Sequence, residues 1–364
     1  MIAAVLVGYD ARAAFRDPQR GFGRVTRSLA DALLALLPGQ VVVFVPHRSQ
    51  VPPSWYRLAA RVVPLRRPAR GAFLVDPVAW RWTLARAPVD VLHLPAWGVP
   101  PGLPVPVVAT GYDATPLRFP SPPQAWPRRR LAMALRSLSR AELVHAISAH
   151  ARDELAAFAG VPRERCRVVH LGAGPPFAPA PEAAPPRHLL YVGGLDPHKN
   201  LDLLAAVLAA PGARRLPELV LAGPRSAAGS PLAAAVASGR ARLAPAPSDE
   251  ELAALYRGAL ALVLPSRNEG FGLPVVEAMA CGCPVLAAAA GALPEVCGEA
   301  AALLPPDRPE AWLSALMELA ANDERRRALA HAGLASARAL TWEATARGVA
   351  EVYREAMRAV SSRR

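Results

Sequence analysis

Lysine is nearly absent from this chain of 364 residues. Of its 42 basic residues only Lys199 is lysine; the rest are arginine. A compact ammonium and a planar guanidinium fork are not interchangeable where a point charge meets phosphate, so the one retained lysine marks a candidate site. Long apolar runs are missing too. No stretch reaches the roughly 18 apolar residues of a membrane-spanning helix, which excludes a transmembrane segment. The opening MIAAVLVGYDARA lacks a basic n-region and a cleavage site. It reads as a first β-strand rather than a signal peptide, and cytoplasmic residence is the expectation. Cysteine is scarce, and Cys166, Cys281, Cys283 and Cys297 show neither disulfide nor zinc spacing, so they read as buried thiols. The 8 histidines form no HxxxH or HExxH pattern, and no protein-built metal site is expected.

Charge is present but uneven. Residues 1–173 hold 23 arginines and 10 acidic residues, whereas residues 174–364 hold 19 basic and 19 acidic ones. The whole net charge of +13 therefore sits on the first half. That asymmetry implies an anionic partner: an acidic membrane surface at the inner face, a lipid-phosphate acceptor or an anionic polysaccharide. No nucleic-acid motif accompanies the charge, and no nucleic-acid partner is expected. Within this half, FPSPPQAWPRRRLAMALRSLSR places Trp126 beside Arg128, Arg129 and Arg130, on a helix carrying Leu131, Leu135 and Leu138. Such a helix can lie in a membrane interface, or pack on the domain with a solvated basic face.

Strand-like apolar runs alternate with helical patterns along the chain. IAAVLVGYD, QVVVFVP, VDVLHLP, PVPVVATG and AELVHAIS fill the first half, and RHLLYVGG, LPELVLAG, ALALVLPS and CPVLAAAA the second. This is the pattern of α/β domains with helix-covered parallel sheets, repeated twice. The proline- and alanine-rich run FAPAPEAAPPR reads as part of a linker, 174–187, between domains 1–173 and 188–341. The final segment, about 342–364, reads as an amphipathic helix. Ser148 fits a helix N-cap. Ligands in such sheets bind at the carboxyl ends of strands, and a cleft between two such domains is the expected site.

The richest stretch is Ala261 to Val296. An apolar strand ends at Pro265, and a loop with Glu269, Gly270 and Gly272 follows. The spacing predicts a helix with Pro274 in its first position and Glu277 in its first turn, then a second strand from Pro284. Free backbone N–H groups and a positive helix end suit a phosphate, and two flanking carboxylates suit sugar hydroxyls. Together they fit a sugar nucleotide. Lys199 lies in a second strand-to-helix loop, within HLLYVGGLDPHKNLDLL, with Gly193 and Gly194 ahead of it.

The run EGFGLPVVEAMACGCPV resembles the EX7E signature of retaining glycosyltransferases of family 4. The resemblance implies the GT-B fold, two Rossmann-like doubly wound parallel-sheet domains facing a central cleft, with the last helix crossing back to the first domain. It implies Glu277 on the donor ribose and Glu269 beside the donor sugar. The backbone of Phe271, Gly272 and Leu273 would meet sugar hydroxyls and phosphate, and Lys199 the diphosphate. Many members carry an arginine where this chain has Gly194, which leaves Arg267 as a candidate substitute. GFGRVTRSLADAL is similar to the family's GxGR loop and following helix, which implies that Gly21 and Gly23 allow close approach of the donor phosphates and acceptor, with Arg24 as a phosphate ligand. PVVATGYDATPLRFP resembles a segment that usually reads His-Asp. Tyr112 stands at the histidine position, and Tyr112 cannot serve as a base near neutral pH without a large shift. Asp113 becomes the candidate acceptor-side base.

The resemblance thus implies a metal-independent, retaining hexosyltransferase with no cofactor besides a nucleoside diphosphate sugar. GDP-mannose or UDP-glucose would be the donor, and a polysaccharide, oligosaccharide or lipid-linked glycan the acceptor. A nucleotide-sugar epimerase of the same fold and a catalytically silent donor-binding scaffold remain open alternatives.

Overall fold

The computed structural model describes residues 5–16, 21–47, 49–65, 77–95, 98–119, 128–180, 186–223 and 225–362. The chain divides into two compact units. One comprises Met1–Leu171 with Trp342–Arg364, the other Gly172–Thr341.

The first unit is built on seven parallel strands: β1 (Val7–Asp10), β2 (Val41–Pro46), β3 (Arg61–Leu65), β4 (Val91–Leu94), β5 (Val107–Gly111), β6 (Leu143–Ala146) and β7 (Cys166–Val168). Their order is β3-β2-β1-β4-β5-β6-β7. The central strands are near-continuous Val/Leu runs because helices cover both faces. Val42, Phe44, Leu92, Leu94, Ala109 and Val144 point to one face, under helices that supply Trp80, Leu84, Leu131, Leu135 and Leu155. Val7, Val41, Val43, Val91 and Val108 point to the other, under Leu29, Leu33, Val349 and Tyr353. Tyr353 belongs to helix Trp342–Ser361, which packs on helix Gly21–Leu36 within this unit. A buried polar chain ties that helix to the sheet. His93 meets the Tyr353 hydroxyl at 2.6 Å through Nδ1 and Thr110 Oγ1 at 2.8 Å through Nε2. Ser148 caps helix Ala149–Ala159, its side chain accepting from the Ala151 N–H. Gly111 faces that helix so closely that a Cβ there would lie 2.3 Å from Leu155 Cδ1.

The second unit holds six parallel strands: β8 (His188–Val192), β9 (Leu219–Gly223), β10 (Ala241–Pro245), β11 (Ala259–Leu264), β12 (Val285–Ala288) and β13 (Ala302–Leu304). Their order is β10-β9-β8-β11-β12-β13. The chain winds outward from β8 in one direction and from β11 in the other. Both sheets are therefore doubly wound, with reversals between β1 and β4 and between β8 and β11. The described part of the 174–187 stretch is packed on this unit: Arg257 donates to the carbonyls of Pro176 and Ala178 at 2.8 Å each, and Phe177 is buried edge-on to Tyr256. Among the described residues no helix is long and apolar enough to cross a membrane. Trp126 lies outside the described residues.

Candidate active site

Where a doubly wound sheet reverses, the two loops leaving adjacent strand ends diverge and open a crevice. In the second unit those loops follow β8 and β11, and they carry Lys199 and Glu269. Lys199 ends a single tight turn, Pro197–Lys199. Asn200 follows with φ 58°, a left-handed conformation that asparagine tolerates better than most residues. Its buried amide donates to the Pro265 carbonyl at 3.0 Å and to the Pro306 carbonyl at 2.7 Å. The Arg267 N–H donates to the His198 carbonyl at 2.8 Å. These bonds lock the two loops together and set Lys199 against Glu269, Nζ to Oε1 2.7 Å.

Ser266 Oγ donates to the same Glu269 oxygen at 2.7 Å. Burial alone would raise the Glu269 carboxyl, but the Lys199 ammonium and the Ser266 hydroxyl outweigh it and hold the group below the usual carboxylate range. Burial and the Lys199 charge also push the His198 imidazole down. The Glu269 loop rests on the turn after β12, where the Ala292 N–H donates to the Glu269 carbonyl at 3.0 Å. Gly291, at φ 61°, makes that contact possible; a Cβ there would stand 2.6 Å from the Glu269 backbone nitrogen.

The helix after this loop spans Leu273–Ala280, with Gly272 at its N-cap in the left-handed region. It starts one residue earlier than the sequence predicts, so Pro274 takes the second helical position and Glu277 the second turn. Gly272 offers no side chain to cap the helix, and no side-chain cap bond forms. The first turn therefore presents backbone donors and the positive end of the helix dipole. Phe271 is buried and anchors the loop, Gly270 is buried beside it, and Leu273 is half-buried. Glu277 is buried at 2% exposure, and the Tyr256 hydroxyl donates to its Oε2 at 3.0 Å.

Gly193 and Gly194 occupy the start of the Lys199 loop. Gly193 has φ 153°, and a Cβ there would meet the Tyr191 hydroxyl at 2.8 Å. The Gly194 carbonyl accepts from that same hydroxyl at 2.5 Å. A Cβ on Gly194 would sit 2.8 Å from Asp196 Oδ2, so the Asp196 carboxylate fills the space a side chain would need. Arg267 is exposed and adjoins the Lys199 loop through its backbone only.

In the first unit, Gly21, Gly23 and Arg24 lie in the opening turn of helix Gly21–Leu36 rather than in a loop. Phe22 between them stacks on Tyr112, ring centroids 4.0 Å apart, which brings this helix start to the end of β5. Tyr112 is buried, and burial raises its phenol well above the ordinary value. Asp113 is half-buried, and its Oδ1 accepts the Thr115 N–H at 3.0 Å, closing the turn that starts helix Thr115–Arg118. The next residue, Ala114, donates its N–H to the buried carboxylate of Glu154 at 3.0 Å.

Sequence reading missed several of these groups. Ser266 has a local signal, standing three residues before Glu269. Tyr256, Asn200, Gly291 and Glu154 have none, because each meets its partner across the fold. At the first unit's own reversal, Arg12 forms a buried two-pronged pair with Asp10, at 2.8 and 2.7 Å, which sequence reading also missed.

Comparison with known proteins places this chain among glycosyltransferases. The model of glycosyl transferases group 1 matches residues 186–322, and that of glycosyltransferase family 4 matches residues 20–174. The chain belongs to the family 4 glycosyltransferases and has the GT-B fold. The D-inositol 3-phosphate glycosyltransferase of Segniliparus rotundus is 37% identical over 182 residues, 46% of this chain and 40% of that protein. O-antigen chain mannosyltransferase B of Escherichia coli is 31% identical over 224 residues, 57% of this chain and 59% of that protein. The chain spans about half the length of these curated relatives. The HepE protein of Anabaena, solved in complex with UDP and glucose, matches with a TM-score of 0.69 over 96% of this chain and 99% of that one. At 16% identity this is a likeness of fold.

Proposed function

We propose that the protein is a retaining glycosyltransferase that moves a hexosyl unit from a nucleoside diphosphate sugar to a polysaccharide, oligosaccharide or lipid-linked acceptor. The observation that carries this reading is the Lys199–Glu269 pair at the sheet reversal, beside the uncapped helix start at Gly272. The ammonium and the helix end supply positive charge for a diphosphate. Glu269, kept ionised, accepts from sugar hydroxyls. Glu277, with one oxygen held by Tyr256, accepts from the ribose.

The reaction is front-face. The bond from the anomeric carbon to the diphosphate oxygen breaks, and the acceptor oxygen bonds to the same face of that carbon. The acceptor proton passes to the departing diphosphate. Stabilising the charge on that leaving group is the largest contribution, and it falls to Lys199 and the Gly272 backbone without a metal. Tyr112, with its raised phenol, is a hydrogen-bonding group and not a base. Asp113, half-buried at the end of β5 beside Tyr112, is the proposed acceptor-side carboxylate. Mannose is favoured as the sugar, supported by the name of the mannosyltransferase relative; glucose is the next choice.

Calorimetry with GDP, UDP, ADP and their sugar conjugates tests the donor assignment. Binding of one nucleotide family supports it and directs the acceptor search; binding of none overturns it. Product anomeric configuration by NMR then tests retention.

A further inference from the structure

Two helices cover one face of the first sheet: Pro77–Arg86 and Arg128–Arg136. Trp80 and Leu84 of the first, and Leu131 and Leu135 of the second, enter the same core over the same strand face. The opposite side of each therefore faces away from that core, on the same side of the sheet. That outward side is both apolar and basic. Val78 and Trp82, one helical turn apart, are 73% and 59% exposed, and Met133 is 68% exposed. These are three of the six large hydrophobic side chains left exposed among the described residues. Arg81, Arg86, Arg129, Arg130 and Arg136 are exposed around them, and neither helix carries an acidic residue. The Arg86 guanidinium lies 3.6 Å over the Trp82 ring, so indole and cation are presented as one unit.

We propose that this helix layer docks on an anionic lipid surface. An indole and a methionine set among arginines match the boundary between acyl chains and headgroups. The arginine stems cover apolar area while their heads meet lipid phosphate. Each arginine near such a surface strengthens binding about five-fold, and the effect fades within a Debye length. A nucleic acid would use the charge but leave Val78 and Met133 in water, and Arg86 already occupies the Trp82 face that a base would stack on. The sequence leaves the helix of Arg128–Arg130 either in a membrane interface or packed on the domain with a solvated basic face; the structure packs it through Leu131 and Leu135 and adds Val78, Arg81, Trp82 and Arg86 to the outward side. The inference goes beyond the proposed reaction, and its test reads no turnover.

The experiment is co-sedimentation of the full chain with phosphatidylcholine vesicles, with and without about one-third phosphatidylglycerol, at low and high salt. Binding only to the anionic vesicles, weakened by salt, is expected. Trp82→Ser should lower it about ten-fold and the double variant Arg81→Ser, Arg86→Ser about twenty-fold, with unchanged melting temperatures because all three side chains are exposed. Brominated lipid should quench the tryptophan emission of the native chain, and Trp82→Ser should lose most of that quenching. No binding to anionic vesicles, equal binding by all variants, or quenching retained in Trp82→Ser would each overturn the proposal. So would duplex DNA that competes while Trp82→Ser binds vesicles like the native chain.

Discussion

Lys199 Nζ and Glu269 Oε1, 70 residues apart in sequence, meet at 2.7 Å across the reversal of the second sheet. The single lysine and the first carboxylate of the EX7E run are thus one ion pair, joined by Ser266 on the same oxygen. In the proposed reaction the donor diphosphate shares or breaks this pair. Lys199→Ala should weaken binding of the nucleoside diphosphate by about 1–3 kcal/mol, the range for a hydrogen bond to a charged group. Lys199→Arg should restore only part of it, since a planar fork cannot occupy the position of a compact ammonium. Calorimetric affinity unchanged in Lys199→Ala would remove the lysine from the diphosphate.

Tyr256 and Glu277 make a second such pair, with the hydroxyl holding Oε2 at 3.0 Å inside the unit. The tyrosine fixes the direction of the carboxylate that the proposed reading sets against the ribose. Tyr256→Phe should weaken binding of the nucleoside diphosphate by about 1 kcal/mol. It should have a smaller effect on the 2′,3′-dideoxy nucleotide, which offers no hydroxyl to Glu277. An equal loss for both nucleotides would mean that Tyr256 supports the fold and not the ribose contact.

Much of this architecture is legible in the sequence because buried parallel strands need continuous apolar runs. VVVFVP and ALALVL are such runs, and they are β2 and β11. The strands that escape reading lie at or beside sheet edges. RVVPL, CRV and ARLAP are partly exposed, so their sequences carry charges and prolines in place of apolar continuity. The site divides the same way. Glu269, Glu277 and Lys199 stand out through local spacing or rarity. Their supporting groups do not, because Tyr256, Asn200 and Gly291 are defined by what the chain brings against them from elsewhere. GFGR was misleading in its own way: two glycines suggest a loop, yet packing of Val25, Leu29 and Leu33 on the sheet extends the helix back to Gly21.

Gly291 offers a test of how tightly the Glu269 loop is held. Its φ of 61° disfavours any side chain, and a Cβ would press on the Glu269 backbone at 2.6 and 3.0 Å. Both atoms belong to backbone, so neither can swing aside. Gly291→Ala should destabilise the second unit by more than about 1 kcal/mol and should also weaken donor binding, because the Glu269 loop must shift. Chemical denaturation reads the first effect and calorimetry the second. A variant of native stability and affinity would show that this turn does not position Glu269.

The first unit should lose stability on mild acidification through His145. The ring is fully buried, with Nε2 2.8 Å from the Val169 carbonyl and Nδ1 3.4 Å from Thr110 Oγ1. Burial lowers its pKa from 6.5 to about 4, although the Val169 carbonyl acts in the other direction. Neighbouring His93 is pushed down for the same first reason, and the two rings disfavour each other's charge. The sign follows from proton counts. Between pH 6.5 and about 4 the unfolded chain binds a proton at His145 that the folded chain does not, so stability falls as pH falls. At His145 the loss should reach about 2 kcal/mol by pH 5 and level off only below the folded pKa, and His93 should add to it in the same direction. Urea unfolding at pH 7.5 and pH 5 measures it. His145→Gln, which cannot titrate, should flatten the dependence by one proton whatever it does to stability at pH 7.5. A midpoint that does not move between the two pH values in the native chain would mean that these rings are already protonated in the fold or reach water.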